Sequence, residues 1–256
     1  MRRLPISGVI ITLNEAHRLE ACLATLQFCQ EILVVDSGSN DQTVAVAEAS
    51  GARVVVQSWL GYGAQKQFAI DQAQNDWVLC LDADEQLEEA LQQEIIERFS
   101  QGSPEPGVAF EMPRRNRFMG RWLNHGEGYP DPNLRLFNRQ QGRWSQDPVH
   151  EHVTVDGTVE RLRGAIRHQS EESLEHYLAK QNRYTTLQAK RLVAQGKKVG
   201  LTKLLISPLL RFLKFYLLRL GFLDGLPGLV HISIGCMNSH LKYAKAWAMQ
   251  QRAAEK

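Results

Sequence analysis

The sequence predicts an α/β protein in which a mainly parallel, doubly wound sheet occupies residues 1–170 and a helical, basic, membrane-associating region follows over residues 171–256. Three observations lead there. Over the first hundred residues short apolar runs alternate with amphipathic stretches, the pattern of strands and helices in turn. Three of those runs end in polar or acidic turns, at the strand ends where such sheets bind ligands. Residues 176–223 then hold ten Lys or Arg and no Asp or Glu.

Residues 6–13 read as a buried first strand. The opening Met1-Arg2-Arg3 before an apolar run resembles a signal peptide, but the run is short and passes into Asn14-Glu15 without a cleavage site. A helix is expected over residues 15–26 with Asn14 as its cap, because a side-chain oxygen there satisfies a first-turn amide. Strands at 31–35, 53–57 and 77–81 alternate with helices at 43–49, 64–74 and 88–99. Strands separated by helices require right-handed crossovers and hence a parallel sheet. The loop at 101–107 divides residues 1–100 from a second half, 101–170, with strands expected at 108–113 and 133–137 around a segment, 122–132, rich in Gly, Pro and aromatics. Helices take over after His168.

Composition narrows the class. The 256 residues carry 30 Lys or Arg and 28 Asp or Glu, a net charge of +2, with 43% hydrophobic residues, which excludes disorder, collagen and coiled coil. The four cysteines, Cys22, Cys29, Cys80 and Cys236, are too few and too irregular for a disulfide framework or a zinc site and read as reduced core residues of a cytoplasm-like compartment.

Asp82 and Asp84, separated by the small Ala83, follow the apolar run 77–81 and are placed to share one hard divalent cation, Mg²⁺ or Mn²⁺, with phosphate and water. A solvated turn is the competing reading of any such triplet; the strand end favours the metal. Asp36 sits where dinucleotide-binding folds carry their ribose-binding acid, yet the sequence has no Gly-x-Gly-x-x-Gly and no phosphate-binding Gly-Lys-Ser/Thr loop, which disfavours NAD and Walker-type chemistry. What remains is a nucleotide site at Thr12, Asn14 and Glu15, with Asp36 accepting hydrogen bonds from a base or sugar while Ser39 and Asp41 cap the next helix. Gln65 and Lys66 open a helix after a Gly-x-Gly turn, where they meet sugar or phosphate or else are merely solvated. Arg114, Arg115, Arg117 and Arg121 interleave with Phe118 and Trp122, a pattern suited to a phosphorylated saccharide acceptor or to an ordinary surface loop.

Val9-Ile-Ile-Thr-Leu-Asn-Glu15, Ile32-Leu-Val-Val-Asp-Ser-Gly-Ser39 and Leu79-Cys-Leu-Asp-Ala-Asp-Glu85 resemble the three nucleotide-sugar signatures of inverting glycosyltransferases of family 2, which have the GT-A fold, a Rossmann-like, mainly parallel sheet with helices on both faces. Trp59-Leu-Gly-Tyr-Gly-Ala-Gln-Lys66, Arg135-Leu-Phe137, Val149-His-Glu151 and Phe222-Leu-Asp-Gly225 are similar to the lipopolysaccharide core β-1,4-glucosyltransferase subgroup, so the resemblance covers nearly the whole chain. It implies a metal-dependent hexosyltransferase that moves glucose from UDP-glucose onto the inner-core oligosaccharide. It assigns the nucleotide sugar to Thr12, Leu13, Asn14, Glu15, Asp36, Ser37, Gln65, Lys66, Asp82 and Ala83. The diphosphate and the metal fall to Asp84 with Asp82, and His168 is a candidate third ligand or a structural histidine. The base implied is Glu151, with Asp147 as runner-up near His150; the competing reading has His150, Glu151 and His152 alternating along a strand. Arg114, Arg117 and Trp122 are the acceptor candidates. A polyprenyl-phosphate or other cell-envelope glycan transferase of the same fold is the near alternative, and a non-catalytic membrane-bound nucleotide-binding module the distant one.

The basic segment completes the picture. Leu204 and its successors to Leu218 are strongly apolar apart from Pro208, Arg211 and Lys214, and Lys203, Arg211 and Lys214 fall within about 80° of one another on a helix, leaving a wide apolar face. The stretch lacks the ~18 uninterrupted apolar residues of a spanning helix. A helix lying in the interface of an anionic membrane fits, and so does one packed on a core. Nucleic acid is disfavoured as a partner, since the cations are interleaved with bulky aliphatics. The expected setting is cytoplasmic, peripheral on the inner face of the inner membrane, with a lipid-linked oligosaccharide as acceptor.

Overall fold

Strand β1 (Leu4–Thr12) is apolar on both faces, as a central strand covered by helices must be. In the computed structural model, which describes residues 3–145, 151–169 and 173–254, it lies between two parallel neighbours, β2 (Cys29–Asp36) and β4 (Trp77–Asp82), with β3 (Arg53–Val56) beyond β2. The connecting helices are α1 (Ala16–Ala24), α2 (Thr43–Ala49) and α3 (Tyr62–Asp71). Alternate residues feed opposite faces. Ile6, Ile10, Leu79 and Leu81 meet Leu19 and Leu23 of α1 and Leu91 and Ile95 of α4 (Glu89–Phe99), whereas Val9, Val78 and Cys80 meet Ala69 and Ile70 of α3. Each such buried aliphatic side chain is worth roughly 1.5–3 kcal/mol.

The sheet is mixed beyond β4. The expected returns are β6 (Val108–Phe118) and β8 (Asp131–Asn138), and β8 runs antiparallel to β4, with Leu136 opposite Leu79. No pattern in the sequence signals β5 (Glu85–Leu87), β7 (Arg121–Trp122), β9 (Gly142–Trp144), β10 (Val153–Val155), β11 (Thr158–Arg161) and β12 (Ile166–His168), each only two to four residues long. The sheet order is β3-β2-β1-β4-β8-β6-β12-β5, with β9 and β10 forming a separate pair. Helix α1 departs from the expected capping. Asn14 has a φ of +55° and its side chain accepts from Asn40 N, while Thr43 Oγ1 and Asp41 Oδ2 receive the amides of Glu15 and Ala16. The loop before α2 and the first residue of α2 thus satisfy the start of α1.

The chain divides into two compact units, residues 1–114 with 132–169, and residues 115–131 with 170–256. The second is helical: α5 (Leu174–Ala194), α6 (Leu201–Phe212), a π-helical turn (Leu213–Leu218), a 3₁₀ turn (Gly221–Asp224) and α7 (Gly225–Ala254). Lys245 Nζ of α7 binds Asn182, Thr185 and Thr186 of α5, and Ser207 of α6 meets Ser239 of α7 at 2.9 Å. Residues 115–131 are clasped to this unit: buried Asp224 accepts from the amides of Asn124 and His125, Gly126 N donates to Arg219 O, and Arg211 pairs with Glu127. The four cysteines are free thiols, three of them buried, and burial pushes Cys80 up to about 12.

Candidate active site

Strand register sets the site. Thr12 pairs with Asp36 and Ile11 with Asp82, so three strand ends lie side by side at the carboxyl edge of the parallel sheet. Antiparallel β12 and β5 set His168 opposite Glu85, beside Asp84, and β8 brings Arg135 to Asp82.

Asp82 is held by two cations. Its Oδ1 lies 2.9 Å from Lys66 Nζ of α3 and its Oδ2 3.0 Å from Arg135 Nη2. Arg135, 4% exposed, also reaches Glu85 Oε1 at 2.9 Å; that oxygen receives Arg114 Nη1 at 3.0 Å, and Glu85 Oε2 accepts from Asp82 N. Burial works to raise the Asp82 carboxyl, but Lys66, Arg135 and Arg114 outweigh it and hold the group well below the usual carboxylate range. Burial works equally against the Arg135 charge, and Glu85 and Asp82 more than restore it.

Asp84 faces other partners. Its Oδ2 is 3.2 Å from His168 Nε2 and 3.8 Å from Arg18 Nη1. Burial would raise this carboxyl; the hydrogen bond and charge of His168, with Arg18, leave it lowered. Among the described residues no three His, Cys, Asp or Glu side chains gather as a metal cage, and both Asp82 oxygens face cations. Asp84 and His168 remain as adjoining donors. One carboxylate and one imidazole suit Mn²⁺ or Mg²⁺ whose other positions go to phosphate and water, so the donor set fits a shared cation. Half-buried Glu15 pairs with Arg18 at 2.7 Å; burial leads in raising its carboxyl, and Asp84 adds to the rise.

At the end of β1 Thr12 Oγ1 is buried with no hydrogen-bond partner among the described residues, a polar group that a ligand would satisfy. Leu13 is half-exposed and Ala83 buried. Asp36 is spent on its own turn, accepting from Gly38 N, Ser39 N and Ser39 Oγ. Gln65 is fully buried and ties Ser37 Oγ, Gln57 O and Leu60 N together.

Glu151 also approaches Lys66, Oε1 to Nζ 3.5 Å, and the ammonium lies 4.8 Å from the Trp144 ring centroid. Neither Glu151 nor His152 is in a strand. Gly63 permits the approach: a Cβ there would collide with Ser145 O and touch Glu151 Cβ. Asp147 and His150 lie outside the described residues. Arg114 joins Glu85 in the first unit, while Arg117, Arg121 and Trp122 belong to the second, where Arg117 pairs in register with Trp122 across a hairpin and Arg121 donates to Leu223 O. Sequence reasoning missed Arg135, Glu85 and Arg18 as site residues. Arg135 had a signal, a cation in the apolar run Leu134-Arg-Leu-Phe137, since a charge in a core position demands a partner.

The glycosyl transferase family 2 model matches residues 7–154. The chain is 34% identical over 252 residues to the lipopolysaccharide core biosynthesis glycosyltransferase LpsC of Rhizobium meliloti (strain 1021), covering 96% of this chain and 93% of that protein. It is equally 34% identical to an uncharacterized glycosyltransferase of Rickettsia bellii (strain RML369-C), over 94% of this chain and 85% of that one. Among solved structures, mannosyl-3-phosphoglycerate synthase from Rubrobacter xylanophilus superposes with a TM-score of 0.51 at 18% identity, over 77% of each chain. Glucosyl-3-phosphoglycerate synthase from Mycobacterium tuberculosis, in complex with phosphoglyceric acid, gives 0.50 at 19% identity over 80% of this chain and 85% of that one. These are likenesses of fold, the GT-A arrangement of mixed sheet and helices.

Proposed function

The chain belongs to glycosyl transferase family 2, and on that premise we propose that it moves glucose from UDP-glucose, with inversion, onto a lipid-linked inner-core oligosaccharide of lipopolysaccharide at the inner face of the inner membrane. The observation that carries the reading is the meeting of Asp84, His168, Asp82, Lys66 and Glu151 at the carboxyl edge of β1, β2 and β4. The full-length similarity to LpsC, named for lipopolysaccharide core biosynthesis, supports the acceptor class.

An inverting transfer is one in-line displacement: the acceptor oxygen bonds the anomeric carbon as the nucleoside diphosphate leaves the other face, and the acceptor proton goes to a base. Glu151 takes that proton on a carboxylate oxygen. Lys66, fixed between Asp82 and Glu151, orients the base and presents positive charge toward the departing diphosphate. Thr12 Oγ1 binds the nucleoside end. Asp84 and His168 would hold Mg²⁺ or Mn²⁺, which when bound supplies Lewis-acid stabilisation of the leaving group. Arg135 and Glu85 touch no substrate in this scheme and keep Asp82 and Lys66 in position.

Thermal unfolding with UDP-, GDP- and ADP-sugars in the presence of Mn²⁺ tests the donor, since a ligand at a hundred times its Kd adds about 2.7 kcal/mol to the folded state. UDP-glucose is expected to raise the Tm and Asp84→Ala to abolish the rise. Stabilisation by a GDP- or ADP-sugar alone overturns the donor assignment. Transfer to polyprenyl phosphate, with none to a core oligosaccharide, overturns the acceptor.

A further inference from the structure

Helix α6 and the π-helical turn that follows it bury no residue. Leu201, Leu205, Leu209, Leu213 and Leu217 recur at every fourth position and are 38–69% exposed. On an α-helix such a ladder drifts by about 40° per step. The π turn, closing i→i+5 hydrogen bonds, rotates less per residue and returns Leu217 toward the line of the others. The apolar edge continues through Leu218, 80% exposed, to Leu220, Leu223 and Leu226 at the bend into α7.

Charge says what this edge meets. Lys203 and Lys214 are exposed beside the stripe, and Lys197 and Lys198 precede it. Arg211, expected to join them, is instead internally paired with Glu127. Among the described residues after Leu201 the single carboxylate, Asp224, is buried under Asn124 and His125. A broad leucine stripe flanked by lysines, with no exposed carboxylate, complements an anionic bilayer surface. No single helix among the described residues is long and apolar enough to cross a membrane, and residues 201–218 and 221–253 reach that length and apolarity only as a pair bent by 74°.

We propose that this edge docks the chain on anionic phospholipid, α6 lying in the membrane plane with its leucines at the acyl boundary and Lys203 and Lys214 among the headgroups. The inference deepens the membrane-peripheral reading above and rests on it only for the choice of a lipid partner. Donor binding, read in the same samples by the UDP-glucose thermal shift, separates failure of one from failure of the other.

The test is flotation of the full-length chain with vesicles of equal parts phosphatidylglycerol and phosphatidylcholine, and with phosphatidylcholine alone. Binding is expected on the anionic vesicles only and is expected to be released by molar salt. Leu205→Glu with Leu209→Glu and Leu217→Glu, and separately Lys203→Glu with Lys214→Glu, are each expected to lower the bound fraction at least about tenfold while helix content and the thermal shift stay as in the parent. Failure of the parent chain to float, equal flotation of the variants, retention through alkaline carbonate, or a dimer broken by the leucine changes in a chain that binds no vesicles would each overturn the proposal.

Discussion

Arg135 stands in an apolar strand with two carboxylates on its guanidinium, and the energetic consequence is lopsided. Such a pair gains little over apolar residues of the same shape, but removing one member strands the other charge. Arg135→Leu is therefore expected to lower the unfolding free energy by about 3–5 kcal/mol in urea denaturation, with Glu85 left buried beside Arg114 alone. Asp82 sets the acid limb: its folded carboxyl is depressed, so its stabilisation is complete above the unfolded value near 3.8 and is lost as pH falls through the lower folded value. Asp82→Asn should flatten the acid end of a stability-against-pH curve. Glu151 and Asp84 separate by kinetics. Glu151→Gln is expected to reduce kcat by about 10²–10⁴ with little change in KM, whereas Asp84→Ala should remove metal-dependent donor binding. An unchanged kcat in Glu151→Gln would move the base to another residue. The sequence announced Asp82 and Asp84 as a pair; that they face different partners depends on Arg135 and His168, some 50 and 80 residues away, and spacing along the chain carries no trace of that.

At the scale of elements, β1, β2 and β4 were legible because each is a long apolar run bounded by a polar turn, and four-residue β3 because it falls between two amphipathic stretches. The short strands were not, because two to four residues fit any pattern and their pairing comes from long-range register, as in His168 opposite Glu85. Nor was the capping of α1 legible, since Asp41 and Thr43 reach it from the next loop and the start of α2. Helix α3 carries a testable feature. Gly63 lies under Ser145 and Glu151, and Gly63→Ala must lift that segment away from Lys66. Activity is expected to fall on the order of 10²-fold, as a displacement near 1 Å can produce, with helix content intact. In α7, His231 packs against Phe118 and Tyr177, and burial, reinforced by Arg211, lowers its pKa from 6.5 to about 4. The unfolded chain then binds the extra proton between those values, so stability should decline by up to about 3 kcal/mol as pH drops from 6.5 to 4. His231→Phe should remove that decline; a stability curve still falling over this interval would assign it to other groups.

For the whole molecule the near-zero net charge conceals an uneven distribution along the sequence. Residues 176–223 carry ten cations and no acid, and the remainder carries 20 basic and 28 acidic side chains. The anionic surface proposed above would attract the first set of charges and repel the second. Charge in the site works locally: Lys66, Arg135 and Arg114 are matched against Asp82 and Glu85 at 2.9–3.0 Å, distances at which salt screens little. The two effects therefore separate by ionic strength. Raising salt from about 0.1 M to 1 M shortens the Debye length from about 10 Å to 3 Å, which weakens attraction to a surface but scarcely touches buried contacts. Turnover on an acceptor embedded in anionic vesicles is expected to fall steeply over that range, while turnover on the same oligosaccharide freed of its lipid stays nearly level. A parallel fall of both rates would place the salt-sensitive step inside the active site and leave the basic segment without a kinetic role.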